Sequence, residues 1–216
     1  MYSAVIVAAG SGTRFGTIKP KVLTLYQGKP LIQYSLDRFL EDLECKEIIL
    51  VYPENSEEAF EPFRQRRVTL VIGGKMRQES VRRGLALVKE PWVLIHDGAR
   101  PNLSKGLLER IKTALKQEAA VAPAIAVADT LKECASGKIV GDIERDRVFQ
   151  IQTPQAFRTE SIRSAHEKAF QANHLYSDDT SVYQHELALP VTIVAGEATN
   201  IKVTTLTDIL ILEAIR

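Results

Sequence analysis

The residues best suited to chemistry stand in a glycine-rich segment near the start of the chain. Residues 8–16 read AAGSGTRFG and follow directly on an apolar run. Glycines let backbone N–H groups approach phosphate oxygens, because no Cβ intervenes. Arg14 lies inside the segment, and Lys19 and Lys21 flank Pro20 just beyond it. An arginine fork and mobile lysine charges suit a polyphosphate whose charge grows in a transition state.

Two familiar phosphate-binding motifs do not fit this segment. The dinucleotide fingerprint G-x-G-x-x-G needs glycine at position 15, where Phe15 stands. The P-loop pattern G-x-x-x-x-G-K-[ST] fails at the same position. The segment therefore predicts a phosphate-binding loop of a third kind; the alternative is a plain turn between a strand and a helix, with solvated basic residues.

Two further clusters directly follow apolar runs. Gly73 and Gly74 precede Arg77 and Ser80, at the start of a helical pattern. A helix N-terminus with glycine and serine before it is a natural site for an anion or a base edge. This cluster is therefore a candidate nucleotide-binding loop.

The third cluster is HDGARP at residues 96–101. Asp97 is well placed to hold a metal ion, because Mg²⁺ commonly uses one or two carboxylates together with substrate phosphates; the alternative is an ordinary aspartate that caps the loop. His96 has no nearby cysteine or paired histidine, and we interpret it as a structural residue.

The apolar pattern predicts the elements that would position these clusters. Short β-branched runs predict strands at residues 2–9, 47–52, 68–72, 92–96, 119–124 and 190–195. Helical periodicity predicts helices at residues 31–43, 80–88, 104–117, 159–173 and 206–215, with Ser104 as an N-cap. This alternation is typical of an α/β fold, with a doubly wound, mostly parallel sheet and ligands at the carboxyl ends of its strands. We expect the three loops to converge on one edge of that sheet.

The alternation breaks at about residue 127. Residues 127–150 read as two strand-like runs around Ser136-Gly137, which is a β-hairpin signal. A hairpin of this length packs poorly alone, so we expect this arm to lie against another subunit. The alternative is a surface excursion without a partner. With no repeat or low-complexity linker, residues 1–216 are predicted to form a single domain with a β-arm.

Composition limits the classes of protein to consider. The 216 residues include 28 Lys+Arg and 27 Asp+Glu, a net charge of +1, which argues against a protein that coats nucleic acid or an anionic membrane. Cys45 and Cys134 match no metal spacing and are too few for a disulfide framework, so a reducing cytoplasm is expected. The first apolar run is too short for a signal peptide or a membrane span.

In their order along the chain, these motifs resemble the 2-C-methyl-D-erythritol 4-phosphate cytidylyltransferases of the non-mevalonate isoprenoid pathway. The resemblance covers essentially the full chain. It rests on AAGSGTR at 8–14 with Pro20-Lys21, GG at 73–74 with Arg77 and Ser80-Val81, HD at 96–97 with ARP at 99–101, DTLK at 129–132, QTPQ at 152–155 and NIKVT at 200–204.

The resemblance implies a nucleotidyltransferase fold of Rossmann-like type and the transfer of CMP from CTP to a polyol phosphate, with release of pyrophosphate. It implies Mg²⁺ or another divalent cation, met by Asp97. Arg14 and Lys21 would stabilise charge on the triphosphate, while Arg145 and Lys202 would orient the acceptor phosphate. The implied CTP-binding positions are Ala8, Ala9, Gly10, Gly12, Gly74, Ser80, Asp97 and Gly98. The implied acceptor-binding positions are Arg100, Thr130, Arg145, Ser177 and Lys202, and the arm with Thr130 and Arg145 would complete the site of the other subunit of a homodimer.

Three positions depart from the family pattern. Val22 stands where the family usually has Gln, Gly98 where Ala is usual, and Ser177 where Thr is frequent. None of these removes a charge from the predicted site, so they concern substrate affinity more than the type of reaction.

Competing functions share parts of this pattern. A ribitol-5-phosphate cytidylyltransferase has the same loops and chemistry, although Ala99 favours the methylerythritol enzyme because the ribitol family tends to carry Val there. A sugar-phosphate nucleotidyltransferase would use UTP or GTP instead. A non-catalytic nucleotide-binding regulatory module is disfavoured, because a sensor has no use for cations aimed at a leaving pyrophosphate.

Overall fold

The main sheet of the protein is mixed, with parallel strands at its centre. The computed structural model describes residues 1–10 and 20–215. The strands there are β1 Tyr2–Val7, β2 Leu25–Tyr26, β3 Lys29–Pro30, β4 Cys45–Tyr52, β5 Val68–Ile72, β6 Trp92–Asp97, β7 Ala120–Ala126, β8 Lys132–Ala135, β9 Lys138–Asp142, β10 Phe149–Ile151, β11 Gln155–Arg158 and β12 Thr192–Ala195. The sheet has the order β10-β7-β11-β6-β1-β4-β5, and β12 pairs with β7.

The pairing confirms the predicted α/β class and adds two antiparallel strands that were not predicted, β10 and β11. β1 lies between β4 and β6 and is parallel to both, and β5 continues the parallel set. β11 runs antiparallel to both β6 and β7. It therefore interrupts the parallel order beside the strand that ends in Asp97.

Helices cover both faces of this sheet. They are α1 Leu31–Glu41, α2 Glu57–Phe60, α3 Arg77–Leu85, α4 Lys105–Ala114, α5 Thr159–Gln171, α6 Asp179–Leu187 and α7 Leu206–Ala214, with 3₁₀ turns at Lys21–Leu23, Glu61–Phe63 and Arg145–Arg147. Successive side chains of a strand point to opposite faces. Accordingly Ala4 and Ile6 of β1 pack in one buried cluster with α1 and α4, whereas Val5 packs in a second cluster with α3, α5 and α6.

Helix α3 packs closely against β1 at Gly84. A Cβ on Gly84 would lie 2.7 Å from Cγ1 of Val5, closer than packed carbon atoms allow. The predicted helix at 80–88 begins earlier than expected, at Arg77. Arg77 thereby occupies the first turn of α3.

The N-cap predicted for α4 is confirmed, because the N–H of Leu107 donates to the hydroxyl of Ser104.

The arm is a two-stranded hairpin of β8 and β9, as the turn signal predicts. Ser136 and Gly137 have φ angles of 50° and 75°, and two residues with positive φ are what a tight hairpin turn requires. Ile139 and Val140 of β9 are 67% and 62% exposed. The hairpin thus presents apolar side chains to the outside of the chain. Within the described residues, no helix combines the length and the apolar character needed to cross a membrane.

Candidate active site

The predicted loops meet around a cavity of about 340 Å³ at the carboxyl ends of the central strands. It is lined by Val7, Ala8, Ala9, Gly10, Lys21, Val22, Lys75, Met76, Arg77, Ser80, Asp97, Ala99, Lys202 and Thr204. The lining therefore joins the end of β1, the N-terminus of α3, the end of β6 and the segment before α7. Three predicted residues, Gly12, Arg14 and Lys19, lie outside the described part of the chain.

Asp97 lies in this cavity between two cations. Its side chain is 9% exposed, with Oδ1 3.0 Å from Nε of Arg77 and Oδ2 2.7 Å from Nζ of Lys202. Burial raises the pKa of the Asp97 carboxyl, but the two cations more than offset this and hold the pKa well below its usual range. Asp97 is therefore a buried, ionised carboxylate.

A hydrogen-bonded chain behind Asp97 fixes its backbone. The N–H of Asp97 donates to Oγ1 of Thr153, which lies 3.0 Å from Nδ1 of His96. Nε2 of His96 lies 3.1 Å from the carbonyl oxygen of Arg100. Because a carbonyl only accepts, Nε2 carries the proton and Nδ1 accepts from the threonine hydroxyl. Burial lowers the pKa of His96 to about 4, so this ring is a neutral structural residue, as we interpret it from the sequence.

Arg77 has a second carboxylate partner that the sequence analysis missed. Its Nη2 donates to Oδ2 of Asp179 at 2.8 Å, and Nε2 of His166 lies 3.2 Å from the other oxygen of Asp179. Burial lowers the pKa of Arg77, but Asp179 and Asp97 more than offset this and raise the pKa above its ordinary value. The guanidinium is therefore held between two carboxylates, one of which lies outside the cavity lining.

Lys21 connects the first loop to the far end of the chain. It begins the 3₁₀ turn that follows Pro20, and its Nζ donates to the carbonyl oxygen of Val203 at 2.8 Å. Val22, which replaces the usual Gln of the family, is buried and lines the cavity. This departure gives the cavity an apolar wall next to Lys21.

Ser80 shapes the loop before α3. The N–H of Gly74 donates to the hydroxyl oxygen of Ser80 at 3.0 Å, and that hydroxyl lies 3.0 Å from the carbonyl oxygen of Met76. Ser80 lines the cavity, whereas Gly74 is not among the described residues that do. The loop is thus folded back over the N-terminus of α3.

The sequence model of the family "2-C-methyl-D-erythritol 4-phosphate cytidylyltransferase" (IspD) matches residues 2–216. The chain belongs to this family. The enzyme of that name from Geobacillus kaustophilus is 40% identical over 220 residues, covering 99% of this chain and 96% of its own. That from Bacillus mycoides is 37% identical, covering 99% and 97%. The crystal structure of the enzyme from Thermus thermophilus superposes with a TM-score of 0.84 at 31% identity, covering 100% and 98% of the two chains.

Family membership confirms the predicted reaction. This cytidylyltransferase transfers CMP from CTP to 2-C-methyl-D-erythritol 4-phosphate, giving 4-diphosphocytidyl-2-C-methyl-D-erythritol and pyrophosphate in isoprenoid biosynthesis. A structure of the corresponding synthase from Anaerococcus prevotii superposes with a TM-score of 0.86 at 31% identity, covering 99% and 96% of the two chains. The mixed sheet and the β8-β9 hairpin agree with these solved structures.

Several residues predicted for the cytidylyltransferase site lie outside the cavity. Thr130 and Arg145 border a separate pocket of about 380 Å³ in the arm, and Nη1 of Arg145 donates to the carbonyl oxygen of Ala128 at 3.1 Å. Ser177 is exposed just before α6. Within the described part of one chain, these three residues are therefore not brought to the cavity, and their predicted roles remain predictions.

Gly98 and Arg100 contact the structure behind the cavity. Gly98 is buried, and a Cβ at this position would lie 2.5 Å from Cδ1 of Ile32. The glycine that departs from the family pattern thus makes room for a core side chain. Nη1 of Arg100 donates to the carbonyl oxygen of Asn200 at 2.7 Å, which ties this loop to the segment that carries Lys202.

Proposed function

We propose that the cytidylyl transfer takes place in the cavity between β1, α3 and β6. The observation that carries this assignment is the shared lining: the backbone of 8–10, the cations Lys21 and Lys202, and the carboxylate of Asp97 face one space. A triphosphate needs that combination of N–H donors, positive charge and one hard oxygen ligand. Gly12 and Arg14 are proposed to bind the same phosphates.

The nucleophile in this reaction requires little help from the protein. An acceptor phosphate oxygen attacks the α-phosphorus in line, a new P–O bond forms, and the bond to the β-phosphate oxygen breaks as pyrophosphate leaves. The attacking group is already an anion, so no general base is needed. Catalysis is then positioning and electrostatic stabilisation, and we assign Lys21, with Arg14, to the charge that develops on the triphosphate.

Lys202 is proposed to orient the acceptor phosphate. Its side chain is 39% exposed at the cavity, and its Nζ lies 2.7 Å from Oδ2 of Asp97. A lysine ammonium on a flexible stem can turn from a carboxylate to a phosphate oxygen without leaving the cavity. That movement also releases one oxygen of Asp97.

Asp97 fits a divalent cation that arrives with the nucleotide. Mg²⁺ keeps several waters and uses one or two carboxylates together with substrate phosphates. The described residues include no group of three or more His, Cys, Asp or Glu side chains that could hold a metal. A single ionised carboxylate beside a phosphate-binding loop matches this mode of binding. Mg²⁺ or another divalent cation would supply charge neutralisation on the triphosphate when bound.

The acceptor side of the site is proposed to be completed by a second subunit. Thr130 and Arg145 lie in the arm, away from the cavity of their own chain, and the arm exposes Ile139 and Val140. An exposed apolar hairpin is stabilised by packing against another surface. We therefore propose a homodimer in which each arm reaches the partner's cavity. Light scattering at several concentrations tests this, and a strict monomer would contradict the role of Arg145 in a neighbouring site.

We also propose that residues 1–216 form one domain that works in the cytoplasm. The two buried clusters lie on opposite faces of one sheet and both use residues of β1, so they belong to the same domain. Cys45 and Cys134 are free thiols, as expected in a reducing compartment.

One steady-state assay tests the proposed function. Pyrophosphate release is measured with CTP, UTP and GTP, each combined with 2-C-methyl-D-erythritol 4-phosphate or ribitol 5-phosphate. We expect turnover with CTP and the methylerythritol phosphate. Turnover with ribitol 5-phosphate alone would refute the choice of acceptor, and saturable CTP binding without pyrophosphate release would support a regulatory module.

A further inference from the structure

Asp179 is a buried charge that touches the proposed site only through another residue. It is the first residue of α6, and its side chain is 1% exposed. Arg77 donates to Asp179 through Nη2 at 2.8 Å and to Asp97 through Nε at 3.0 Å. Arg77 and Asp97 line the cavity, and Asp179 is not among the described lining residues. One guanidinium therefore links a cavity carboxylate to a carboxylate behind it.

The surroundings of Asp179 hold it in one position. His166 lies 3.2 Å from Oδ1, and the N–H of Asp179 donates to Oε1 of Gln155 at 3.1 Å. Nε2 of the same Gln155 donates to Asp178, the N-cap of α6. Burial raises the pKa of the Asp179 carboxyl, but Arg77 and His166 more than offset this and lower the pKa below its ordinary value. Asp179 is therefore an ionised and well-anchored partner for Arg77.

This anchoring determines how much positive charge acts on Asp97. The carboxylate of Asp97 already contacts Lys202 through its second oxygen. Without the carboxylate of Asp179, the guanidinium of Arg77 would have Asp97 as its remaining carboxylate partner within the described residues. A divalent cation would then compete with the full charges of Arg77 and Lys202 for the oxygens of Asp97. Because the guanidinium of Arg77 is divided between Asp97 and Asp179, it competes less strongly.

We propose that Asp179 is a positioning residue for the transfer reaction: it holds Arg77 so that Asp97 stays available to a cation-bound nucleotide. This inference rests on the proposed function of the cavity. It predicts an effect on CTP binding that depends on the divalent cation. A purely structural link between α3 and α6 would affect the fold without that dependence.

The test compares Asp179→Asn with a matched control, Glu167→Gln. Glu167 pairs with Arg82 at 3.4 Å and also ties α3 to α5, and within the described residues no hydrogen bond or ion pair joins it to Arg77. The dissociation constant of CTP is measured by calorimetry, once with Mg²⁺ and once with EDTA. Removing a residue that orients a metal ligand costs 10–100-fold in affinity or activity, so we expect Asp179→Asn to weaken CTP binding by roughly that factor with Mg²⁺.

With EDTA, Asp179→Asn should bind CTP as tightly as the wild type or more tightly, because the cavity gains net positive charge. Glu167→Gln should match the wild type in both conditions. Equal weakening with and without Mg²⁺, or no weakening with Mg²⁺, would overturn the inference even if the melting temperature falls.

A second variant covers the case in which Asp179→Asn does not fold. Asp179→Glu keeps the charge but moves the carboxylate by one methylene, so it should show a smaller loss that is again confined to the Mg²⁺ condition. Affinity equal to wild type in both conditions would then overturn the inference. The turnover of the wild-type enzyme is measured in the same experiment. If the wild-type enzyme does not turn over, the proposed function is contradicted. If it turns over and the variants bind CTP normally, only the role of Asp179 is contradicted.

Discussion

Replacing Lys21 with alanine should abolish most of the turnover and leave the fold in place. The turn that Lys21 begins is held by its backbone: the N–H of Leu23 donates to Pro20 and the N–H of Thr24 donates to Lys21. Val22 of the same turn is buried in the core next to it. The Lys21→Ala change removes a charge from the cavity and keeps these contacts.

The Lys21→Ala change should have a large effect on kcat and a smaller effect on the stability of the fold. Removing one group that stabilises transition-state charge costs about 10²–10³ in kcat, or about 2.7–4 kcal/mol. In the variant, the hydrogen bond from Lys21 to the carbonyl oxygen of Val203 is lost. Hydrogen bonds to charged groups contribute about 1.5–3 kcal/mol to the free energy of unfolding. Lys21 is half-buried, so we expect the lower part of that range. For a chain of this size, each 1 kcal/mol shifts the melting temperature by about 2–4 °C.

The assay pairs pyrophosphate release with a thermal melt and uses Lys112→Met as the converse variant. Lys112 is 10% exposed and lies within 2.9 Å of Asp42, Glu44 and Glu109, away from the cavity. Its loss should lower the melting temperature and leave kcat unchanged. A near-normal rate for Lys21→Ala, or a collapse of its fold, would refute the assignment of Lys21 to the transition state.

Three further predictions test other parts of the molecule. Burial lowers the pKa of His96 to about 4, so on acidification the unfolded chain binds a proton at this histidine before the folded chain does. The free energy of unfolding should therefore fall by up to about 3 kcal/mol as the pH drops from 6.5 to 4. Denaturant titrations at several pH values measure this fall, and His96→Gln should make the free energy of unfolding depend less on pH. Gly98→Ala should cost about 1–3 kcal/mol, and adding Ile32→Val should recover part of that loss in a double-mutant cycle. If the arms exchange in a homodimer, a mixed dimer of one Lys21→Ala and one Arg145→Ala subunit has one intact site and one doubly defective site. About half of randomly re-paired dimers are mixed, so about a quarter of all sites should regain activity. No recovery of activity would mean that each site takes Lys21 and Arg145 from the same chain.

Periodicity was sufficient to predict the core strands and most helices, but it could not find α6. The residues of α6, DTSVYQHEL, show no apolar stripe, and only Val182 and Tyr183 supply large buried apolar side chains. The helix is defined instead by its N-cap Asp178 and by Gln155, which accepts from the N–H groups of Asp179 and Thr180. Such contacts between distant segments leave no periodic signal.

The antiparallel strand β11 was missed for a related reason. Gln155–Arg158 has four residues, too few to show alternation, and its first residue is the last residue of the QTPQ motif. The QTPQ motif could be recognised in the sequence by its resemblance to the family, but the hydrogen bonds that its residues make could not. Thr153 accepts from the N–H of Asp97, and Gln155 anchors α6, so the segment supports the cavity from behind.

The sequence located the cations of the site but could not show how they are paired. Arg77 and Lys202 were both found from motifs, yet each is bound to Asp97, and Arg77 is also bound to Asp179, 102 positions away. This pairing changes how a substitution of Asp97 must be interpreted. Asp97→Asn would remove the proposed metal ligand and at the same time take away the carboxylate partner of Lys202 and one of the two carboxylate partners of Arg77, so a loss of turnover in that variant does not by itself identify a metal site. Substituting Asp179 changes the pairing of Arg77 and leaves the carboxylate of Asp97 in place, and it therefore separates the two effects.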